Sequence, residues 1–260
     1  MTHVVFGVSL VATDAIVLHA FDYRETSRIL RLATRDAGVR SVMARGARRS
    51  KARVGPGVDL FAEGHAQLVL SATRDLHTLA AFDVTHARTA LASQWTRFAA
   101  ANALSEIMLR TANEEAQPAL YEAFAAGLDS LVTAAPEQAA AVGLRGAWTI
   151  VAALGFAPSL DICAVCGAAL EPDAPVRFAH RAGGAVCARC ARDVAGAREL
   201  PASARETIGA WIAGREAAVP DEPATRAHLR LLREFLHEHL GDERPLRAFS
   251  VWERGVWVPA

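Results

Sequence analysis

The sequence predicts an α+β protein in two parts: a small N-terminal β-barrel, then a helical bundle with an inserted four-cysteine module. Three observations lead there. Short runs rich in β-forming residues, separated by turn signals, fill Asp14 to about Asp83. From Thr85 onward apolar residues recur at helical spacing. All four cysteines fall inside Asp161–Ala191. The expected division is a barrel domain over 1–83, with Met1–Thr13 as a loose leader, and a helical domain over 84–260 with the cysteine module at about 161–191.

The strand expectations are Ala15–Ala20, Ser27–Thr34, Val39–Arg45, Ala66–Ser71 and Leu76–Phe82. In the second of these, Arg28, Leu30 and Leu32 share one face, and Ile29 and Arg31 share the other. Turn signals bound the runs at Asp22-Tyr23, Asp36–Gly38, Gly55-Pro56-Gly57 and Ser71–Asp75. Five short strands in so short a stretch favour a closed barrel, because closure removes exposed edges. An OB-type barrel and an SH3-like barrel both fit this pattern.

The helical half is read from its stripes. Leu91, Trp95 and Phe98 lie on one face, with Leu104 and Met108 further along. Leu120, Phe124, Leu128 and Leu131 form a second stripe, and Leu144, Trp148 and Val151 a third. Pro118 and Pro136 stand at expected helix starts and Gly155 at an expected stop. Beyond the cysteines, Pro201 opens a helix to about Gly214. Pro223 opens another carrying Leu229, Leu232, Leu236 and Leu240, with Gly241 as its stop. The tail Phe249–Trp257 is expected as a small hairpin, with Trp252 and Trp257 packed onto the bundle in preference to forming an aromatic contact surface.

Composition limits the function. At 260 residues, with 52% apolar and 22% charged residues, the chain is globular rather than disordered or fibrous. Its longest apolar stretches, Val4–Ala12 and Ala147–Pro158, are far shorter than the ~20 residues of a membrane span. Val4–Ala12 lacks the basic leader and small-residue cleavage site of a signal peptide, so a soluble cytoplasmic protein is expected. No phosphate-binding P-loop, dinucleotide fingerprint, nucleophile elbow or zinc-protease motif occurs, and no catalytic residue is assigned. His237-Glu238-His239 resembles metal spacing, but neighbouring helix positions point in different directions.

Cys163-Ala-Val-Cys166 and Cys187-Ala-Arg-Cys190, twenty residues apart, are paired knuckles of the kind that hold one structural zinc ion. A two-residue gap turns both sulfurs of a knuckle toward one ion, and Gly167 suits the tight turn that this needs. Four thiolates leave no open position for substrate, so the expected Zn2+, one per chain, stabilises rather than catalyses. The segment has few large apolar residues, and the ion stands in for the missing core.

Formal net charge is zero, yet its distribution is uneven. Arg24–Arg53 holds ten cations against Glu25 and Asp36, a net +8, while residues 84–260 carry −3. The densest part, Arg45 to Arg53, runs into Gly55-Pro56-Gly57 and reads as a basic loop leaving a strand. A polyanion is the partner such a field attracts, and a basic barrel face is a groove for single-stranded nucleic acid. Phe21, Tyr23 and Phe61 are the nearby stacking candidates. So few aromatics point to backbone tracking with weak sequence specificity.

Asp22-Tyr-Arg-Glu-Thr-Ser-Arg-Ile-Leu30, Thr34-Arg-Asp-Ala-Gly38, Ala44-Arg-Gly-Ala-Arg-Arg-Ser-Lys51 and Asp75-Leu-His-Thr-Leu79 together resemble the RecO recombination-mediator family. The resemblance runs from about Asp14 to Gly241 and includes the helical middle with its four-cysteine insertion. It implies an N-terminal OB fold and a non-enzymatic DNA repair and recombination role. That role comprises binding single- and double-stranded DNA, annealing complementary strands, and working with RecR and the single-stranded-DNA-binding protein to load RecA. Carried over by position, it makes Arg24, Arg28, Arg45, Arg48, Arg49, Lys51 and Arg53 DNA-contact candidates, and Cys163, Cys166, Cys187 and Cys190 metal ligands. Two alternatives are a zinc-containing RNA-binding protein on the same barrel and a metal-dependent hydrolase. The four-thiolate site disfavours the hydrolase, and charge alone does not separate DNA from RNA.

Overall fold

The computed structural model describes residues 3–5, 7–45, 47, 58–111, 113–219, 221–240 and 244–255. It forms two compact units, one of residues 1–93 and 107–132 and one of residues 94–106 and 133–260.

The first unit is built on β1 (His3–Val5), β2 (Val8–Tyr23), β3 (Ser27–Thr34), β4 (Gly38–Ala44), β5 (Glu63–Ser71) and β6 (Leu76–His86). β2 pairs antiparallel with both β3 and β5, β3 with β4, and β5 with β6. β4 and β6 run parallel, through Ser41–Met43 and Leu76–Thr78. Strands β2 to β6 therefore close in the order β2-β3-β4-β6-β5-β2. The closure with one parallel pair is the Greek-key OB arrangement rather than an SH3-like meander. Ala15, Val17, Leu30, Leu32, Val42, Leu68, Leu79 and Phe82 point inward and are buried, alternating as the pleat requires except where β6 skips a residue between Leu79 and Ala81.

β2 departs from expectation at both ends. Val8–Thr13 are strand rather than loose leader, because their backbone pairs with Ser71–Ala66 of β5 and so closes the barrel. Further along, the register with β3 shifts between Val17 and His19, with Leu18 as the extra residue. Such a bulge inverts the alternation beyond it. Ala15 and Val17 face the core, then Ala20 does, and His19 and Phe21 are left on the outside.

The same unit contains the C-terminal part of α1 (Trp95–Thr111), from Ile107, and most of α2 (Pro118–Thr133). The side chain of Arg88 is fully buried and ties α2 to the barrel: it donates to Asp129 of α2 (2.6 Å), Glu63 (2.5 Å) and the Phe61 carbonyl (3.2 Å). Tyr121 donates to the other Glu63 oxygen at 2.7 Å. Burial, reinforced by that bond, pushes the Tyr121 phenol up.

The second unit packs the start of α1 with α3 (Ala139–Ala153), α4 (Ala202–Ile212), α5 (Glu222–His239) and α6 (Arg247–Gly255). Asp221 caps α5 by accepting from Ala224 N–H, with Pro223 in the first turn as the sequence implied. Trp148, Trp211, Trp252, Phe178, Phe235 and Phe249 are its largest buried side chains. As far as Gly255 the tail is helical rather than a hairpin. The backbone N–H groups of Arg247, Ala248 and Phe249 donate to the Glu106 carboxylate at 2.8–3.2 Å, which satisfies the open first turn of α6. Trp252 is buried beside Phe249, while Trp257 lies outside the described residues, as does Gly241.

Candidate nucleic-acid interface and metal centre

Between α3 and α4 the chain forms a three-stranded antiparallel sheet, ordered β8-β7-β9, from β7 (Val176–Ala179), β8 (Gly184–Val186) and β9 (Arg198–Leu200). The module thus extends past Ala191, because β9 is needed to pair with β7. Gly184 has no room for a side chain: a Cβ there would lie 2.2 Å from the Ser159 carbonyl oxygen. Phe178 of β7 packs on Phe235 of α5, with ring centroids 6.1 Å apart.

The first knuckle is a tight hairpin. Cys163 N–H donates to the Ala168 carbonyl at 2.7 Å, and Gly167, at φ +71°, turns the chain back. The second follows β8, where Ala191 N–H donates to the Cys187 carbonyl at 2.9 Å. The knuckles bring Cys163, Cys166, Cys187 and Cys190 together, with all four Sγ atoms within 4.8 Å of one another. Cys166 and Cys187 Sγ are 3.9 Å apart, close to the edge of about 3.8 Å that a tetrahedron with Zn–S bonds of about 2.3 Å requires. The donor set fits a metal ion.

The surroundings favour a thiolate at Cys163 and Cys166 and oppose one at Cys190. Burial alone would push the Cys163 thiol up, but backbone N–H groups of Cys187, Cys166 and Val165 turn toward its sulfur and bring it down to about 6. The neighbouring thiols of Cys187 and Cys166 push Cys190 up to about 12. Arg189 lies against the sulfurs of Cys166 and Cys190 and offsets part of the negative charge.

On the barrel, the cations sort into two groups. Arg28 is held by Asp22 (3.1 Å) and Asp59 (3.5 Å) and donates to the Val58 carbonyl. Arg35 pairs with Glu122, and Arg40 with Glu114. Arg24, Arg31, Arg45 and Arg74 have no carboxylate partner among the described residues. Arg24 occupies the β2–β3 turn at φ +55°, with its guanidinium 5.3 Å above the Tyr23 ring. Arg45 is exposed just beyond β4, and Arg74 is exposed in the β5–β6 turn. Arg31 stands on the outer face of β3, and its Nε is buried without a hydrogen-bond partner.

Two family models match in tandem: Recombination protein O N terminal over residues 8–88, and Recombination protein O C terminal over residues 92–248. The chain belongs to the RecO family. A DNA repair protein RecO from Anaeromyxobacter sp. (strain K) is 35% identical over 249 residues, spanning 92% of this chain and 95% of the relative. One from Anaeromyxobacter dehalogenans (strain 2CP-1 / ATCC BAA-258) is 36% identical over 244 residues, spanning 90% and 93%. One from Thermobifida fusca (strain YX) is 29% identical over 257 residues, spanning 95% and 100%.

The N-terminal RecO match spans barrel strands β2 to β6, and the C-terminal match takes in α1 to α5 and the cysteine module. Of the RecO-derived contact candidates, Arg24, Arg28 and Arg45 lie where described above, while Arg48, Arg49, Lys51 and Arg53 lie outside the described residues. The four cysteines come together as a set. His19 and Arg74 were not singled out from the sequence. The bulge at Leu18 that turns His19 outward carries no residue signature, and Arg74 lies beyond the dense basic run. Among the described residues, no helix is long and apolar enough to cross a membrane.

Proposed function

We propose that this RecO-family chain is a non-enzymatic mediator of DNA repair and recombination. It binds single- and double-stranded DNA, anneals complementary strands, and cooperates with RecR and the single-stranded-DNA-binding protein to load RecA onto coated single strands in the cytoplasm, at the nucleoid. The observation that carries this reading is the OB barrel ringed by Arg24, Arg31, Arg45 and Arg74, none with a carboxylate partner among the described residues. Cations left without protein partners on a small barrel suit a phosphate backbone. In sequence, Arg48, Arg49, Lys51 and Arg53, which lie outside the described residues, add four further cations as contact candidates. Arg28 joins it only by exchanging Asp22 and Asp59 for a phosphate.

Work is divided between the parts: DNA contact belongs to the barrel over 1–83 and partner contact to the helical portion over 84–260. A structural Zn2+ held by Cys163, Cys166, Cys187 and Cys190 cross-links the module within the helical portion and takes no part in DNA chemistry. Annealing needs no nucleotide on this reading. Complementary strands repel through their phosphates, the arginines screen that repulsion, and base pairing supplies the driving free energy. A two-strand annealing assay, with naked and protein-coated strands and with and without ATP, tests it. Acceleration on both substrates independent of ATP is expected. Strict ATP dependence, no acceleration, or a preference for RNA in competition overturns the reading.

A further inference from the structure

The outer face of the barrel changes character along its strands. The row Ile16, Ala33 and Val39, aligned across β2, β3 and β4, is buried, and Ala33 and Val39 line the same small cleft as Leu120 and Tyr121 of α2. Past the bulge at Leu18 the rows are His19–Arg31–Ser41–Leu76 and Phe21–Ile29–Met43–Thr78. Here Phe21 is 51% exposed and Leu76 36% exposed. The rings of His19 and Phe21 stack with centroids 4.1 Å apart and planes within 21°.

Were Leu18 paired with β3 as an ordinary strand residue, His19 and Phe21 would follow Ala15 and Val17 into the core. A bulge interrupts a ladder and costs pairing, and here it turns two flat rings into solvent. An ordered, solvent-facing ring pair is half of a stack: its free face offers contact area to another planar group at little entropic cost. The charge around it narrows the choice. Arg31 lies within the patch with an unbonded, buried Nε. Arg45 follows Met43 by two residues, Arg74 precedes Leu76 by two, and Arg24 follows Phe21 by three. The combination of planar aromatic surface and flanking cations complements a polyanion that carries flat rings, more than it does an acidic peptide.

We propose that the His19–Phe21 pair is a stacking platform for unpaired bases, with Arg24, Arg31, Arg45 and Arg74 taking the flanking phosphates. This rests on the DNA-binding reading of the barrel and adds what distinguishes a single strand from a duplex. Both present phosphates to the arginines. Only a single strand can turn a base face onto Phe21, because in a duplex each base is stacked between its neighbours. Every base has such a face, so the platform is tolerant of sequence. Strands that pair lose their hold on it while keeping only the phosphate contacts.

The test compares three labelled ligands of equal length: a thymine homopolymer, an abasic strand with the same phosphates, and a duplex. Wild-type protein is expected to bind the abasic strand roughly tenfold more weakly than the thymine strand. Phe21→Ala should bring the thymine strand down to the abasic level while leaving abasic and duplex affinities within about twofold. Phe21→Trp should restore the difference. Equal wild-type binding of thymine and abasic strands overturns the platform and leaves phosphate-driven DNA binding standing. Loss of affinity for all three ligands alike in a folded Phe21→Ala protein, or no rescue by Phe21→Trp, also overturns it. Failure of wild-type protein to bind any of the three refutes DNA binding itself.

Discussion

The barrel closes around Val17, Leu30, Leu32, Val42, Leu68, Leu79 and Phe82, while the cysteine module packs Cys163, Ala179, Val186, Cys190 and Ala197. Each large aliphatic or aromatic side chain contributes about 1.5–3 kcal/mol on burial, and an alanine far less. The barrel core therefore offsets much of its own ordering entropy, and the module core does not. The difference decides what the polar residues of each region are for. In the barrel, the core carries the fold, and arginines on the surface remain available for a ligand. In the module, the four thiols converge on one another, and Cys163 and Cys190 are buried.

The largest effect that tests this contrast is metal removal. Structural zinc contributes an apparent free energy on the order of 10 kcal/mol in small four-ligand sites. Elemental analysis should find about one zinc per chain. Cys163→Ser, or a strong chelator, should lower the melting temperature by about 15 °C, since about 5 kcal/mol or more is lost in a chain of this size. DNA affinity of the protein that remains folded should change by less than about twofold. A well-folded, metal-free wild-type protein would erase the contrast.

A smaller loss is expected when the barrel unit is attacked at its one buried cation among the described residues. Arg88→Met leaves Glu63 and Asp129 without their shared partner, and such a change costs about 3 kcal/mol. Because both carboxylates keep some exposure to water, the cost should sit at the low end of the range for buried pairs. Urea unfolding followed with metal in excess would register it. A stability unchanged within error would show that the network contributes nothing to the unit.

Much of this was legible in the sequence, for reasons that differ by region. The strand Ser27–Thr34 was delimited to the residue because its alternation and flanking turns agree. The metal ligands were legible because a knuckle is local: two residues of spacing and one glycine set its geometry. Helix starts at Pro118 and near Pro223 followed from proline's fixed backbone. What escaped was long-range. Val8–Thr13 become strand only because β5 needs a partner, and the tail becomes helix with Glu106, far back in the chain, at its first turn. The outward turn of His19 depends on a bulge set by pairing with β3. The sorting of arginines into paired and unpaired depends on which carboxylates the fold brings near, and no charge count along the chain contains it.

That sorting yields the prediction with the least effect on the fold. Arg24→Ala with Arg45→Ala, and Arg28→Ala with Arg35→Ala, each remove two positive charges from the same barrel. If the field alone bound DNA, the two variants would weaken it equally. The structure separates them: Arg28 and Arg35 already face Asp22, Asp59 and Glu122, whereas Arg24 and Arg45 face no carboxylate among the described residues. Ion pairs as exposed as these contribute about 0–1 kcal/mol, so neither variant should unfold. With about four phosphate contacts, log affinity for a single strand should fall against log salt with a slope near −3, about 0.7 for each contact. Losing Arg24 and Arg45 should flatten the slope by about 1.4 and weaken all sequences alike, because phosphates carry no sequence. Losing Arg28 and Arg35 should leave the slope unchanged within error, since a cation already neutralised by the protein releases no counterion when DNA binds. Equal flattening in both variants would mean that the carboxylates let go when DNA arrives, and that the barrel surface rearranges on binding.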